Sequence, residues 1–226
     1  MKRRDFLQNT LAFGAGLLPG VGLAKELLGD ASQVADTGFD GASPFIERLR
    51  QLAEEGNASI QGFLGEILCP GFGIAKDYTE AIVWIRKAAE QGIPTSQCSL
   101  GRCYYFGNGV PKNDIEAAKW FRKAAEQGLV RAQLNLGMCY HFGDGVPQDH
   151  IEAVKWLRKA AENEIAGMPF QEEAIAETRY HLGLCYYYGI GVQQDHTEAT
   201  KWFRKAAEQG HEKAREKLQE SHTCGK

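Results

Sequence analysis

The chain has no apolar run long enough to cross a bilayer. Its longest, LAFGAGLLPGVGLA at residues 11–24, stops at 14 residues and is loosened by four glycines and Pro19, whereas a spanning helix needs about 20 apolar residues. Charge of one sign is also missing: 26 Lys and Arg against 29 Asp and Glu leave a formal net charge of −3, with both signs interspersed. Without a basic stripe, nucleic acid is excluded as the main partner. Catalytic signatures are absent too, since the chain holds no Ser-x-x-Lys, no Gly-x-Ser-x-Gly and no glycine turn followed by Gly-Lys-Ser/Thr. Residues 25–43, small and acidic, lack helical periodicity beyond their first positions and read as a flexible lead-in.

What the chain has in abundance is repetition. The block DIEAAKWFRKAAEQG at 114–128 returns three more times, and Trp84, Trp120, Trp156 and Trp202 mark the copies at spacings of 36, 36 and 46 residues. Self-similarity at this period denotes stacked two-helix units, each too small to bury its apolar face alone. Aligning on Leu64-Gly65, Leu100-Gly101, Leu136-Gly137 and Leu182-Gly183, each 20 residues before its tryptophan, fixes the register. In each unit a first helix runs to an aromatic pair. A turn follows as GNGVP (107–111), GDGVP (143–147) or GIGVQ (189–193), whose glycine supplies a left-handed helix C-cap.

The second helix opens at Asp77, Asn113, Asp149 and Asp195, each with a glutamate three residues on: Glu80, Glu116, Glu152 and Glu198. That spacing predicts a capping box, in which the Asx side chain accepts from first-turn amides and the glutamate reaches back to the cap. Ala81, Trp84 and Ala88, at i, i+3 and i+7, place small and large side chains on the buried face. On the opposite face, Arg122 with Glu126 and Arg158 with Glu162 are expected to pair one turn apart.

Both ends are half-units, as a solenoid requires. Residues 44–57 form an N-terminal half-repeat helix and 58–93 a degenerate first repeat, where Leu68 and Cys69-Pro70-Gly71-Phe72 replace the aromatic turn and end the first helix early. Repeats two and three occupy 94–129 and 130–163. An insertion at 164–177 stretches the last spacing; Gly167 breaks the chain and Pro169 suits a first helical turn, so one helix is expected from near Pro169 to Tyr188. Repeat four spans 178–210, and 211–226 is a polar capping helix and tail.

The order Leu-Gly, Tyr, Gly-x-Gly-Val, Asp/Asn, Ala, Trp-Phe-x-Lys-Ala-Ala-x-x-Gly over residues 58–210 resembles the Sel-one-like repeat, a variant of the tetratricopeptide repeat. The resemblance implies an all-α fold, a right-handed α-solenoid of stacked helix-turn-helix repeats. First-helix positions −5, −2, +2 and +5 from the unit leucine share one face through their 3, 4, 3 spacing, and in tetratricopeptide-like stacks that face is concave. By resemblance the lining would be Cys98, Arg102 and Tyr105 in unit two, Arg131, Leu134, Met138 and His141 in unit three, and Tyr180, Leu184 and Tyr187 in unit four. Phe106, Phe142 and Tyr188 extend it. Such a face implies a protein or peptide partner; the alternative is an envelope polysaccharide or peptidoglycan stacked on Tyr105, Tyr187 and Tyr188. Some exported relatives have been assigned penicillin-binding or β-lactamase activity. The missing serine motifs instead point to a binding scaffold, not an enzyme.

Residues 1–24 join the charged MKRRDFLQNT to the apolar stretch and read as a removable export signal. Arg3 and Arg4 followed by Asp5, Phe6 and Leu7 resemble a twin-arginine signal, which implies passage through the twin-arginine translocase, cleavage after Ala24 and a periplasmic or secreted location. Of six cysteines, Cys103, Cys139 and Cys185 share one repeat position; neighbouring helix axes lie about 8–10 Å apart, beyond disulfide reach. No disulfide is expected, and Cys224 reads as a free tail thiol. His181 and Cys185 lie one turn apart, but two ligands are too few for zinc, so neither metal nor cofactor is expected.

Overall fold

The computed structural model describes residues 44–69, 78–163 and 169–223, with side chains described for 46–69, 78–163 and 172–219. The leader, the lead-in, the turn of repeat one with Asp77, the start of the insertion and Cys224 lie outside the described residues. Among those residues there are ten α-helices and no strand. They are α1 (Pro44–Glu54), α2 (Ala58–Leu68), α3 (Tyr78–Glu90), α4 (Pro94–Phe106), α5 (Asp114–Glu126), α6 (Val130–Phe142), α7 (His150–Ala161), α8 (Pro169–Tyr188), α9 (His196–Glu208) and α10 (Glu212–Thr223). The chain divides after Lys112 into two compact units, α1 to α4 in the first and α5 to α10 in the second.

Local chemistry starts the second helices. Asn113 Oδ1 accepts from the Glu116 amide at 3.1 Å, Asp149 Oδ1 from Ile151 and Glu152 at 2.9 and 3.0 Å, and Asp195 Oδ1 from Glu198 at 2.9 Å. Each cap residue is extended, as an N-cap must be. The reciprocal half of the capping box is replaced. The Asp149 and Asp195 amides donate to the carbonyls of Tyr140 and Tyr186 across the turn, both at 2.9 Å, while Glu116, Glu152 and Glu198 turn outward to Lys119, Lys155 and Lys201. Glu80 instead takes a two-pronged hydrogen bond from Arg50 at 2.8 and 2.9 Å, which pins α1 to α3.

In the first unit the core gathers Ile46, Leu49 and Ala53 from α1, Ile60, Leu64, Ile67 and Leu68 from α2, and Ala81 and Trp84 from α3. Helix α2 ends at Leu68, two residues before the position aligned with Phe106. In the second unit Leu134, Val154, Leu157, Leu182, Cys185 and Trp202 form one cluster. Ala199, Phe203, Ala206 and Ala214 form another, overlaid by Tyr180, Leu184, Tyr187 and Leu218. The unit leucines Leu64, Leu100, Leu136 and Leu182 are fully buried. The glycine after three of them is a contact requirement: a Cβ on Gly183 would stand 2.6 Å from the Phe203 ring, one on Gly65 2.6 Å from Ile85, and one on Gly137 3.0 Å from Leu157.

Helix α8 begins at Pro169 and runs 20 residues, against 13 for α4 and α6. Its additional turns are packed, because Ala174 and Ile175 bury themselves against Val130 of α6 and Ala160 of α7.

Candidate functional site

Two repeated devices hold the first helices, and a third recurs within the second helices. A buried glutamine donates to a carbonyl at the end of the preceding helix: Gln61 to Ala53 at 2.8 Å, Gln97 to Ala89 at 3.2 Å and Gln133 to Ala125 at 3.2 Å. Arg179 takes over this role toward Ala161 at 3.1 Å, and Arg215 toward Ala207 at 3.4 Å. Second, the arginines expected to meet Glu126 and Glu162 reach a tyrosine of the next first helix. Arg122 donates to Tyr140 Oη at 2.6 Å and Arg158 to Tyr186 Oη, as Arg86 does to Tyr104 Oη at 3.0 Å. Each guanidinium also stands 5.7 to 5.9 Å from the ring centroid, within cation–π range. A hydroxyl acceptor and an aromatic face together hold arginine better than one solvated carboxylate. Third, Lys87, Lys123, Lys159 and Lys205 lie over Trp84, Trp120, Trp156 and Trp202. The 36-residue recurrence of Gln61, Gln97 and Gln133 is the sequence signal of the first device.

Against this frame, the face inferred from resemblance divides into residues that are accessible and residues that are not. In the first unit Arg102 is exposed and Tyr105 half-buried, with Lys112 Nζ 5.6 Å from the Tyr105 ring. Cys98 is buried. Beside Arg102 lies Glu66, which accepts a hydrogen bond from Ser99 Oγ. Burial pushes the Glu66 carboxyl up, while the Ser99 bond and the Arg102 charge act against that.

In the second unit Leu134 is 5% exposed within the core, so it cannot line an accessible face. The correction has a steric origin: its position points toward the neighbouring helices and not outward. Arg131 pairs with Glu173 of the α8 extension at 3.6 Å. Met138 and His141 are half-buried, Met138 against the Leu134 cluster and His141 edge-on to Phe142 with ring centroids 4.7 Å apart. Tyr180 stacks on His211 at 4.6 Å, and Leu184 and Tyr187 pack around the Phe203 cluster. These three are therefore half covered by α9 and α10.

The titratable groups are set by burial. It pushes Cys69 and Cys139 up to about 12 and Cys103 and Cys185 to about 11, so these free thiols are protonated at neutral pH. His181 is held down to about 4 by burial, then by His211, His141 and Lys213; Glu177 at 3.9 Å does not reverse this. Among the described residues no group of three or more His, Cys, Asp or Glu side chains is placed to hold a metal ion. No helix among them is long and apolar enough to cross a membrane.

Paired helices, a fully buried leucine in every unit and a periodic set of struts define an all-α solenoid of helical repeats. More particularly, the chain belongs to the Sel1 repeat family, whose repeat matches residues 61–93, 94–129, 130–164 and 176–211, more than half of its length. It is similar to a solved Sel1 repeat protein from Oxalobacter formigenes, with 33% identity over 77% of this chain and 65% of that one, and a TM-score of 0.67. It is also similar to a protective antigen of uropathogenic Escherichia coli strains displaying an SLR fold, with 30% identity over 96% of this chain and 51% of that one, and a TM-score of 0.57. The chain thus spans less than two thirds of either relative. An immunity protein from Pseudomonas aeruginosa shares the fold at 22% identity and a TM-score of 0.50, covering 89% of this chain and 71% of that one. No curated protein matches.

Proposed function

We propose that this is an exported, non-catalytic scaffold that holds a protein segment against the first-helix faces of its repeats. One contrast carries the reading. The strut and packing positions repeat from unit to unit and the glutamine recurs in the first three, whereas the +2 position is Arg102, Met138 or Leu184 and the +5 position Tyr105, His141 or Tyr187. Frame positions are uniform because each unit must stack on the next; individual side chains are left where a partner can read them. A preformed frame also lowers the ordering cost of binding. Export is supported by the Arg3-Arg4 leader and its apolar stretch.

Replacing Met138 and His141 together by Ala tests the site in the second unit. Capture of periplasmic protein by the chain is expected to fall while far-UV circular dichroism stays unchanged, and unaltered capture would place the site elsewhere. For export, changing Arg3 and Arg4 to Lys in the full chain is expected to retain it in the cytoplasm. A second reading, a cell-envelope glycan, is favoured by exposed ring faces on Phe106, Phe142 and Tyr188. Retention by insoluble peptidoglycan that a soluble peptide partner cannot displace would support it over the first.

A further inference from the structure

The exposed large apolar side chains of the second unit lie beside the turns, at the ends of α6 and α8 and at the starts of α5 and α7. Ile115, Phe142, Ile151 and Tyr188 are 58%, 58%, 60% and 56% exposed. Ring contacts and turn packing join them into one edge. The His141 ring lies 4.7 Å from Phe142 and 5.1 Å from His150, the residue before Ile151. The turn holding Gly191 sits directly on the start of α7, since a Cβ there would fall 2.1 Å from the His150 carbonyl oxygen. Tyr188 opens that same turn, edge-on to Tyr187, which in turn meets His196. The turn holding Gly145 sits on the start of α5 in the same way, 1.9 Å from the Asp114 carbonyl oxygen and beside Ile115.

This edge has a charge of its own. No Lys or Arg occurs at residues 132–154 or 180–200, whereas Asp144, Asp149, Glu152, Asp195 and Glu198 all do. Lys155 and Lys201, one turn further along, offset Glu152 and Glu198, which leaves the net negative charge of the edge on Asp144, Asp149 and Asp195. An exposed apolar strip is the usual mark of a partner surface, and the sign of the surrounding charge selects the partner.

We propose that this edge docks a cationic segment of a partner protein, one in which Lys or Arg alternates with large apolar side chains. The apolar groups cover Phe142, Ile151 and Tyr188, and the cations face the carboxylates of the turns. The edge adjoins the first-helix face at His141 and Tyr187, and the Met138 variant below separates its failure from that of the scaffold reading above.

The test uses three labelled synthetic peptides of equal length, alternating Lys with Leu, Glu with Leu and Lys with Ser, titrated against the chain by fluorescence anisotropy. The Lys-Leu peptide is expected to bind at least about tenfold more tightly than either control, and more weakly as salt rises. Ile151→Lys, and separately the pair Phe142→Ser with Tyr188→Ser, are expected to weaken it by about tenfold or more, all three sites being solvent-exposed and compatible with unchanged helicity. Met138→Ala and the exposed Lys123→Gln are expected to leave it unchanged. Equal binding of the Glu-Leu peptide, or full binding by the edge variants, would overturn the proposal. So would sedimentation showing a dimer that Ile151→Lys dissolves, because the edge would then be occupied by a second copy of the chain.

Discussion

Replacing Gln133 by Met is expected to be nearly neutral, whereas replacing Gln61 by Met is expected to destabilise its unit. Both glutamines are buried and both donate to a helix-end carbonyl. That carbonyl keeps a second donor in either variant, the Gly56 amide at 3.1 Å on Ala53 or the Gly128 amide at 3.0 Å on Ala125. The amide oxygens differ. Gln61 Oε1 accepts from Gln91 at 2.7 Å, while Gln133 Oε1 is buried with no hydrogen-bond partner. Gln61→Met thus removes two hydrogen bonds, a loss of about 1–3 kcal/mol at roughly 0.5–1.5 each. Gln133→Met removes one but also relieves an unpaired buried oxygen, worth about 1–3 kcal/mol in the other direction. The two should differ by about 3 kcal/mol at the midpoints of these ranges. The cause is visible in register: Gln91 stands 30 residues after Gln61, and the same interval from Gln133 reaches Asn163, one methylene too short. Asn163→Gln should therefore stabilise by about 1 kcal/mol. Urea titration, with hydrogen exchange read separately over α2 and α6, measures all three. Equal losses for the two Met variants would refute the reasoning.

Gly183→Ala is expected to destabilise the second unit by about 1–3 kcal/mol through the clash with Phe203, read as a lowered thermal midpoint. Gly210→Ala meets no neighbouring atom and strains only its positive φ, so its loss should be smaller than that of Gly183→Ala. His181 gives a pH dependence. Its folded value of about 4 lies below the ordinary 6.5, so the unfolded chain binds the proton more readily. The contribution is fully present above pH 6.5 and is lost as pH falls toward 4. At about 1.4 kcal/mol per pH unit the limit is about 3 kcal/mol, less some screening for a side chain 26% exposed. His181→Gln should flatten the acid limb of a stability–pH curve.

The repeat pattern made the helices, their turns and their Asx caps legible, because those depend on neighbours within a few positions. It also led to the long last first helix, through Gly167 and Pro169. What failed depended on the packed stack. Glu152 and Glu198 do not reach back because the cap amides are already taken by the Tyr140 and Tyr186 carbonyls. Arg122 and Arg158 leave Glu126 and Glu162 for hydroxyls 18 and 28 residues away. On the candidate face, helical spacing placed Leu134 beside Met138, yet spacing alone cannot tell which of two such side chains a neighbouring helix covers. Leu134 is covered; Met138 is half open. The exposed isoleucines at 115 and 151 fell outside the apolar periodicity of α5 and α7, and that departure was the one sign of the turn edge.

The central claim is that the scaffold's partner is read by the first helices, while Lys159 and its counterparts over the tryptophans of the second helices belong to the frame. A photo-crosslinking phenylalanine analogue placed at Met138 of α6, and in a separate protein at Lys159 of α7, tests it in cells. The account predicts a discrete protein adduct from position 138 and none from position 159; an adduct from position 159 alone would contradict it.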